Sequence, residues 1–248
     1  MIWIIGGTED ARRFVSMLDF AKGHYVVSVA TEYGKSLLEE GTALAGRMDL
    51  EEMKGFISKQ GIDLILNLAH PYAVEVSRNA KVAAEEMGCE YHRFLRRETP
   101  LKADLQVEDL SSLLGLLREL EGVILFTTGS KNIPDFEKVK GDSRHIYRIL
   151  PIAESLKICQ RSGVSPRDII AMQGPFDREM NLAMLKHTGA AYLVFKDSGS
   201  QGGTQEKLDA CEELSVKSIL LKRPVEAGES ELEKLRNVVI QYLDGRKS

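Results

Sequence analysis

The apolar positions of this chain fall into two alternating patterns, short continuous runs and longer stretches with helical spacing. Residues 2–5 (IWII) make the first run, and Gly6-Gly7-Thr8 follows at once. Residues 9–20 then put Ala11, Phe14, Val15 and Leu18 on one face of a predicted helix. Further strands are predicted at 25–30, 63–66, 90–95, 123–127, 144–149, 169–172, 192–195 and 218–221, with a weaker one at 42–45. Between them helices are predicted near 35–39, from an N-cap at Asp49 to Gly61, and over 71–87, with Pro71 in the first turn and Gly88 closing the last. The same spacing predicts helices over 109–119, 178–186, 205–214 and 230–243. Runs such as Leu64-Ile65-Leu66 read as strands buried on both faces, and strand–helix alternation implies a parallel sheet covered on both sides. The charged stretch 96–103 (RRETPLKA) breaks the rhythm and predicts a passage between two halves. The expected architecture is α/β, with two doubly wound, Rossmann-like parallel-sheet domains facing a central cleft. Their expected extents are 1–105 and 106–248, the last helix crossing back to the first domain.

Composition narrows the function classes. A chain of 248 residues, 43% hydrophobic, buries a large core. A formal net charge of −4 argues against a general nucleic-acid binder but leaves room for a local basic pocket. Cys89, Cys159 and Cys211 are odd in number, far apart and without a CxxC, so neither a disulfide framework nor a metal site is expected. The apolar run at the start ends at Ile5, and no segment approaches membrane-spanning length. A cytoplasmic protein without a membrane partner, a monomer or small homo-oligomer, is the expectation.

Candidate chemistry collects where strands end, because ligands of open α/β sheets sit beyond the carboxyl ends of strands. Gly6-Gly7-Thr8 at the first such turn suits a dinucleotide phosphate, with Arg12 one turn on; a tight turn without a ligand is the alternative. The third glycine of GxGxxG is missing. Thr31-Glu32 ends the second strand where a ribose hydroxyl would lie, and it leaves NADPH against NADH open. After the strand from Asp63 come Asn67, His70 and Tyr72, with His70 either a catalytic group or a structural histidine. Ser130 and Lys131 follow the strand at 123–127, and Lys196, Ser198 and Gly199 follow the one at 192–195; Arg223 closes the last. Their hydroxyls, amides and cations suit carboxylates or phosphates.

With these residues laid out, the chain resembles the precorrin-6A reductase family of cobalamin biosynthesis. The resemblance rests on GGTxxxR (Gly6, Gly7, Thr8, Arg12), on HPYA from His70 to Ala73 with RNA after it, and on TTGSKN from Thr127 to Asn132. It continues through Arg148 with LP, GPF from Gly174, Lys196 with Ser198 and Gly199, Lys207 after GGT, and Arg223-Pro224. Short as each motif is, their order covers nearly the whole chain. One departure is visible: the family usually has D-A-T before HPYA, where this chain has Asn67-Leu68-Ala69. The resemblance implies an NADPH- or NADH-dependent oxidoreductase. It would deliver hydride to the C18–C19 double bond of precorrin-6A or its cobalt form, giving the 6B form. It also implies a tetrapyrrole partner with many carboxylates. On that view Gly6, Gly7, Thr8, Arg12 and Thr31 serve the cofactor, and His70 and Tyr72 the chemistry. Ser130, Lys131, Arg148, Lys196, Ser198, Gly199 and Arg223, with Arg96 and Arg97, serve the carboxylates. A nucleotide-sugar transferase or a non-enzymatic dinucleotide sensor are the rival readings.

Overall fold

The computed structural model describes residues 1–38, 43–95, 102–197, 203–223 and 226–246. The chain divides into two compact units, Met1–Arg97 with Val225–Ser248, and Glu98–Pro224.

The first unit holds strands β1 (Ile2–Ile5), β2 (Tyr25–Val29), β3 (Ala43–Ala45), β4 (Leu64–Asn67) and β5 (Glu90–Arg93). They form one parallel sheet in the order β3-β2-β1-β4-β5. Helices α1 (Glu9–Ser16), α2 (Glu32–Ser36), α3 (Leu50–Gln60) and α4 (Val74–Met87) connect them. Burial explains the continuous apolar runs: in β1 and β4 every residue is buried. On one face Ile2, Ile4, Leu64 and Leu66 pack with Phe14 of α1 and with Leu18 just after it. On the other, Trp3, Ile5 and Ile65 pack with Met53 and Ile57 of α3 and with Ala80, Ala83 and Ala84 of α4. Helix α3 starts at a full capping box, in which Asp49 Oδ1 accepts from the Glu52 amide at 2.9 Å and Glu52 returns the bond to the Asp49 amide at 2.8 Å.

The second unit holds β6 (Leu105–Val107), β7 (Val123–Phe126), β8 (Arg144–Ile149), β9 (Ile169–Ala171), β10 (Tyr192–Lys196) and β11 (Lys217–Leu221). They form a parallel sheet in the order β6-β11-β10-β7-β8-β9, connected by α5 (Leu110–Leu117), α6 (Ile133–Lys138), α7 (Ala153–Arg161), α8 (Arg178–Thr188) and α9 (Thr204–Leu214). The expected boundary between 105 and 106 falls inside β6, and the units part before residue 98 instead. Leu105 pairs with Ile219, and Asp104 Oδ2 accepts from both the amide and the hydroxyl of Ser218, which ties the start of β6 to β11.

The chain then returns to the first unit. Segment 226–229 lies along β5: the Glu229 amide donates to Arg93 O at 2.8 Å and the Leu95 amide to Glu229 O at 2.8 Å. Glycine is required at 228, since a Cβ there would stand 2.6 Å from Arg93 O. The last helix, α10 (Leu232–Asp244), buries Leu235 and Val239 in the first unit's core beside Phe14 and Leu18.

Two expectations shift. Helix α1 ends at Ser16 and a short 3-10 turn, Asp19–Ala21, follows. Pro71 stands outside α4, because the Ala73 amide donates to His70 O at 2.8 Å and closes a separate turn before the helix begins at Val74. Thr42 and Glu39, placed in a strand and a helix from sequence, lie outside the described residues. Among the described residues no helix is long and apolar enough to cross a membrane, and no cluster of His, Cys, Asp and Glu is arranged to hold a metal ion.

Candidate functional site

In the first unit the candidate groups stand at the carboxyl ends of β1, β2 and β4. Gly6 is held by its amide donating to Ser28 O at 2.8 Å, and a Cβ on it would meet Val27 Cγ1 at 3.2 Å. Gly7 has φ of 103°, in open surroundings. That conformation, free to glycine and strained for other residues, turns the chain into α1 and leaves the turn uncovered. Thr8 is the N-cap: its Oγ1 accepts from the Ala11 amide at 3.1 Å and donates to Leu68 O at 3.0 Å. The hydroxyl is thus spent on the helix and on the β4 loop. What the turn offers an anion is the first-turn amides of α1, which no helix satisfies internally. The acids Glu9 and Asp10 stand in that same turn, Asp10 being buried, so the phosphate charge also needs a cation such as half-buried Arg12. Thr31 is likewise a cap, its Oγ1 accepting from the Gly34 amide at 3.1 Å. This turn fits a dinucleotide phosphate through backbone amides and open space, with the two threonines shaping it.

The His70 corner follows β4. The Tyr72 amide donates to His70 Nδ1 at 3.3 Å, so the neutral ring carries its proton on Nε2. The two rings lie 5.6 Å apart, tilted by 30°. Beneath the corner is a buried polar cluster that the sequence does not announce. Asn67 is fully buried; its Nδ2 donates to Ser77 Oγ at 3.0 Å and to Tyr91 OH at 2.8 Å, while its Oδ1 accepts from the Ala69 amide at 3.0 Å. Arg93 Nη1 donates to Asn67 O at 3.1 Å and Ala69 O at 2.7 Å, and Arg93 Nε meets Glu226 Oε2 at 2.7 Å. The β4 loop is therefore held from below by the neighbouring strand and by the returning segment.

In the second unit the cations collect at the carboxyl ends of β8, β10 and β11. Arg148 lies 4.5 Å above the Phe176 ring and donates from Nη1 to Asn181 Oδ1 at 2.9 Å; burial brings its pKa down to about 10. Lys196 is pushed down to about 8, by burial first and then by the charge of Lys131. Lys207, buried on α9, is pushed down to about 8 by burial and by Arg148, against the opposing pull of Glu206 and Asp197; its Nζ donates to Gly203 O at 3.0 Å. A depressed lysine pKa means that burial and neighbouring cations disfavour the ammonium more than nearby groups favour it. Ser130 caps no helix; its hydroxyl donates to Ser155 Oγ at 3.2 Å, and Lys131 beside it is exposed. Next to them Thr128 is buried, and its hydroxyl has no partner among the described residues. Arg223 is already committed, with Nη2 2.6 Å from Asp197 Oδ2 and Nε donating to Asp197 O at 3.2 Å. Its role is to fasten the loop after β11 to the one after β10. Ser198, Gly199, Arg96 and Arg97 lie outside the described residues. The buried charge of Lys207 is the feature that sequence reasoning passed over, since a lysine on a helix ordinarily reads as a solvated residue.

Known proteins match the chain along almost all its length. A family model described as precorrin-6x reductase CbiJ/CobK matches residues 1–242. The cobalt-precorrin-6A reductase of Priestia megaterium is 34% identical over 231 residues, 90% of this chain and 91% of that protein. Its namesake from Salmonella typhimurium is 31% identical over 229 residues, 90% of this chain and 87% of the other. A solved structure, CobK precorrin-6A reductase, shares the fold with a TM-score of 0.75 over 97% of this chain and 96% of its own, at 21% identity. On its sheet order, its strand-end loops and these matches, the chain belongs to the precorrin-6x reductase CbiJ/CobK family.

Proposed function

We propose that this protein reduces precorrin-6A, or its cobalt-containing form, to the 6B form with a reduced nicotinamide dinucleotide as hydride source. The observation that carries the reading is the set of desolvated cations in the second unit, half-buried Arg148 and Lys196 with buried Lys207, whose pKa values burial lowers. Such a set suits a ligand with several carboxylates, and the relatives are named for a tetrapyrrole of that kind.

The Gly6-Gly7-Thr8 turn would hold the dinucleotide, which when bound would supply hydride for the C18–C19 double bond. The first-turn amides of α1 would hold its pyrophosphate with Arg12 adding charge, and Thr31, the cap of α2, would shape the ribose side. Adding a hydride to a carbon–carbon double bond requires one proton as well. His70, whose Nδ1 accepts from the Tyr72 amide so that the neutral ring carries its proton on Nε2, is the proposed donor, with Tyr72 beside it. Lys131, Lys196, Lys207 and Arg148 bind carboxylates, while Arg223 orders the loop that carries Asp197. The cofactor is NADPH or NADH: Glu32, the acid that would meet a 2′-phosphate, is exposed at the α2 start with Lys35 3.9 Å from it, and turnover with each cofactor decides between them.

The test is turnover of metal-free and cobalt-containing precorrin-6A with NADPH and with NADH, followed by nicotinamide absorbance. Substrate-dependent NADPH oxidation is expected. Cofactor binding without oxidation on adding either substrate would sink the reductase reading and favour a dinucleotide sensor.

A further inference from the structure

A cavity of about 690 Å³ opens in the first unit between α4, β5 and segment 226–229. All of its lining belongs to this unit. Helix α4 presents Val74, Ser77, Arg78 and Lys81 to it, the i, i+3, i+4 and i+7 positions of one face. Val74 directly follows the turn that carries His70, so the cavity adjoins the candidate catalytic corner.

The charges of the lining do not cancel. Glu226 is spent on Arg93 at 2.7 Å and Glu229 on Lys234 at 3.3 Å. His92 is spent on Glu90 at 2.7 Å. Lys81, in contrast, stands 4.0 Å from exposed Glu85, a contact worth little in water. Arg78 is exposed and makes no ion pair among the described residues. At the base, Arg93 is buried, and its Nη2 has no acceptor among the described residues. Beside it, Tyr91 accepts a hydrogen bond from Asn67 Nδ2 at 2.8 Å and keeps its own proton for a ligand, burial holding the phenol protonated. Two unspent cations at the rim, a hydroxyl donor within and a buried guanidinium behind it make a chemistry for oxyanions.

We propose that this cavity is a carboxylate-binding pocket that takes a carboxylated side arm of the substrate, with Arg78 and Lys81 pairing at the rim and Tyr91 donating from the base. The proposal rests on the reading that the substrate is a polycarboxylate tetrapyrrole, and it adds to that reading a subsite in the first unit. Arg93 contributes the field behind the pocket and also holds the β4 loop through Nη1 and Nε, so the test leaves it intact.

The test compares the wild type with R78A, K81A and the double variant, in which only exposed side chains change. The probe is uroporphyrin, a stable porphyrin octacarboxylate, titrated by its fluorescence at two salt concentrations, with NADPH titrated separately. The double variant is expected to bind the porphyrin roughly 30–100-fold more weakly, with a shallower salt dependence and unaltered NADPH affinity. Porphyrin affinity equal to wild type, no porphyrin binding by wild type, or an equal loss of NADPH affinity would each overturn the pocket. Turnover of precorrin-6A is measured in parallel. Variant-sensitive porphyrin binding without turnover removes the reductase reading and leaves the pocket, whereas wild-type turnover with an unchanged KM in the double variant does the reverse.

Discussion

Arg93 Nη1 donates to the carbonyl oxygen of Ala69 at 2.7 Å, so the edge strand β5 holds the residue just before His70. The same guanidinium is fixed on its other side by Glu226, 133 positions further along the chain. Arg93 is 5% exposed, and breaking a buried pair of this kind leaves an unpaired charge and bare carbonyls. Arg93→Met should therefore lower unfolding free energy by about 3 kcal/mol. Trp3, the one tryptophan of the chain, is buried in the first unit and reports the transition in urea. A midpoint equal to that of the wild type would show that Arg93 does not hold the corner.

Asn67→Asp restores the acid that the family usually carries, and the structure says what it would meet. An ionised aspartate only accepts, but the hydroxyls of Ser77 and Tyr91 can turn from acceptors to donors, and the Ala69 amide already donates. Arg93 Nη1 lies 3.4 Å from the same oxygen and favours the charged form. The variant should stay within about 1 kcal/mol of wild type, and its carboxylate should remain ionised at neutral pH. The pH–rate profile is then expected to show no new ionisation between about pH 5 and 9. A new acidic limb in that range would mean that the position can donate a proton.

The alternation of buried runs and helices made the two parallel sheets legible, since strands buried on both faces have no other way to read. Asp49 and Gly61 marked α3 because capping chemistry is local. What stayed hidden was long-range. Strand β6 has only three residues, two of them exposed, and it exists through Ser218 and Ile219 rather than through its own pattern. The start of α4 moved because a turn closed by His70 O outcompeted Pro71 as a first helical residue. Glycine positions marked the loops of the candidate site, but the Asn67–Arg93–Glu226 cluster joins residues whose spacing carries no signal. Arg223, expected at the substrate carboxylates, is paired with Asp197, a partner that only the fold supplies.

His145 is a buried base with a pH consequence. It is fully buried on β8, its Nδ1 lies 3.1 Å from Tyr147 OH, and Tyr147 in turn donates to Glu137 at 2.7 Å. Burial, helped by Lys140, pushes its pKa from 6.5 down to about 4, so the folded protein keeps the ring neutral. The unfolded chain takes up a proton first as pH falls below about 6.5, and folding stability is lost from there down to about 4. Between pH 7 and 5 this amounts to about 2 kcal/mol. Chemical denaturation at both pH values measures it, and His145→Gln should flatten the difference even if it is less stable throughout.

Lys207 sets stability against binding. Its pKa near 8 is below the ordinary 10.5, so the charged form is disfavoured in the fold and the penalty is fully present below about pH 8. The penalty is relieved as pH rises toward 10.5. Lys207→Met, similar in length and apolar, should therefore raise stability at pH 7 by about 1–3 kcal/mol, the lost bond to Gly203 O being a partial offset. A carboxylate arriving beside Lys207 or Lys196 favours the ammonium and draws in a proton between about pH 8 and 9. Calorimetric titration with the porphyrin octacarboxylate in two buffers of different ionisation enthalpy reads that uptake. It should shrink in Lys207→Met, with weaker binding, and affinity for wild type should fall as pH rises past 8. Equal proton uptake in wild type and variant would remove Lys207 from the binding site.

The turn at Gly6 and Gly7 separates crowding from backbone strain. At Gly6 an added Cβ meets Val27 Cγ1 at 3.2 Å, so Gly6→Ala presses on the core between β1 and β2. At Gly7 nothing lies within 4 Å, and the obstacle is the φ of 103°, which a side chain makes costly by about 1–3 kcal/mol, most for a β-branched one. Gly7→Val should thus fold with a loss of stability in that range but present a branched side chain where the pyrophosphate approaches. NADPH affinity, followed by nicotinamide fluorescence, is expected to fall by at least about 10-fold, while porphyrin binding is kept. Were Gly7→Val to bind NADPH as tightly as wild type, the dinucleotide would have to be placed elsewhere, and the Thr8 cap would be a device of the fold alone.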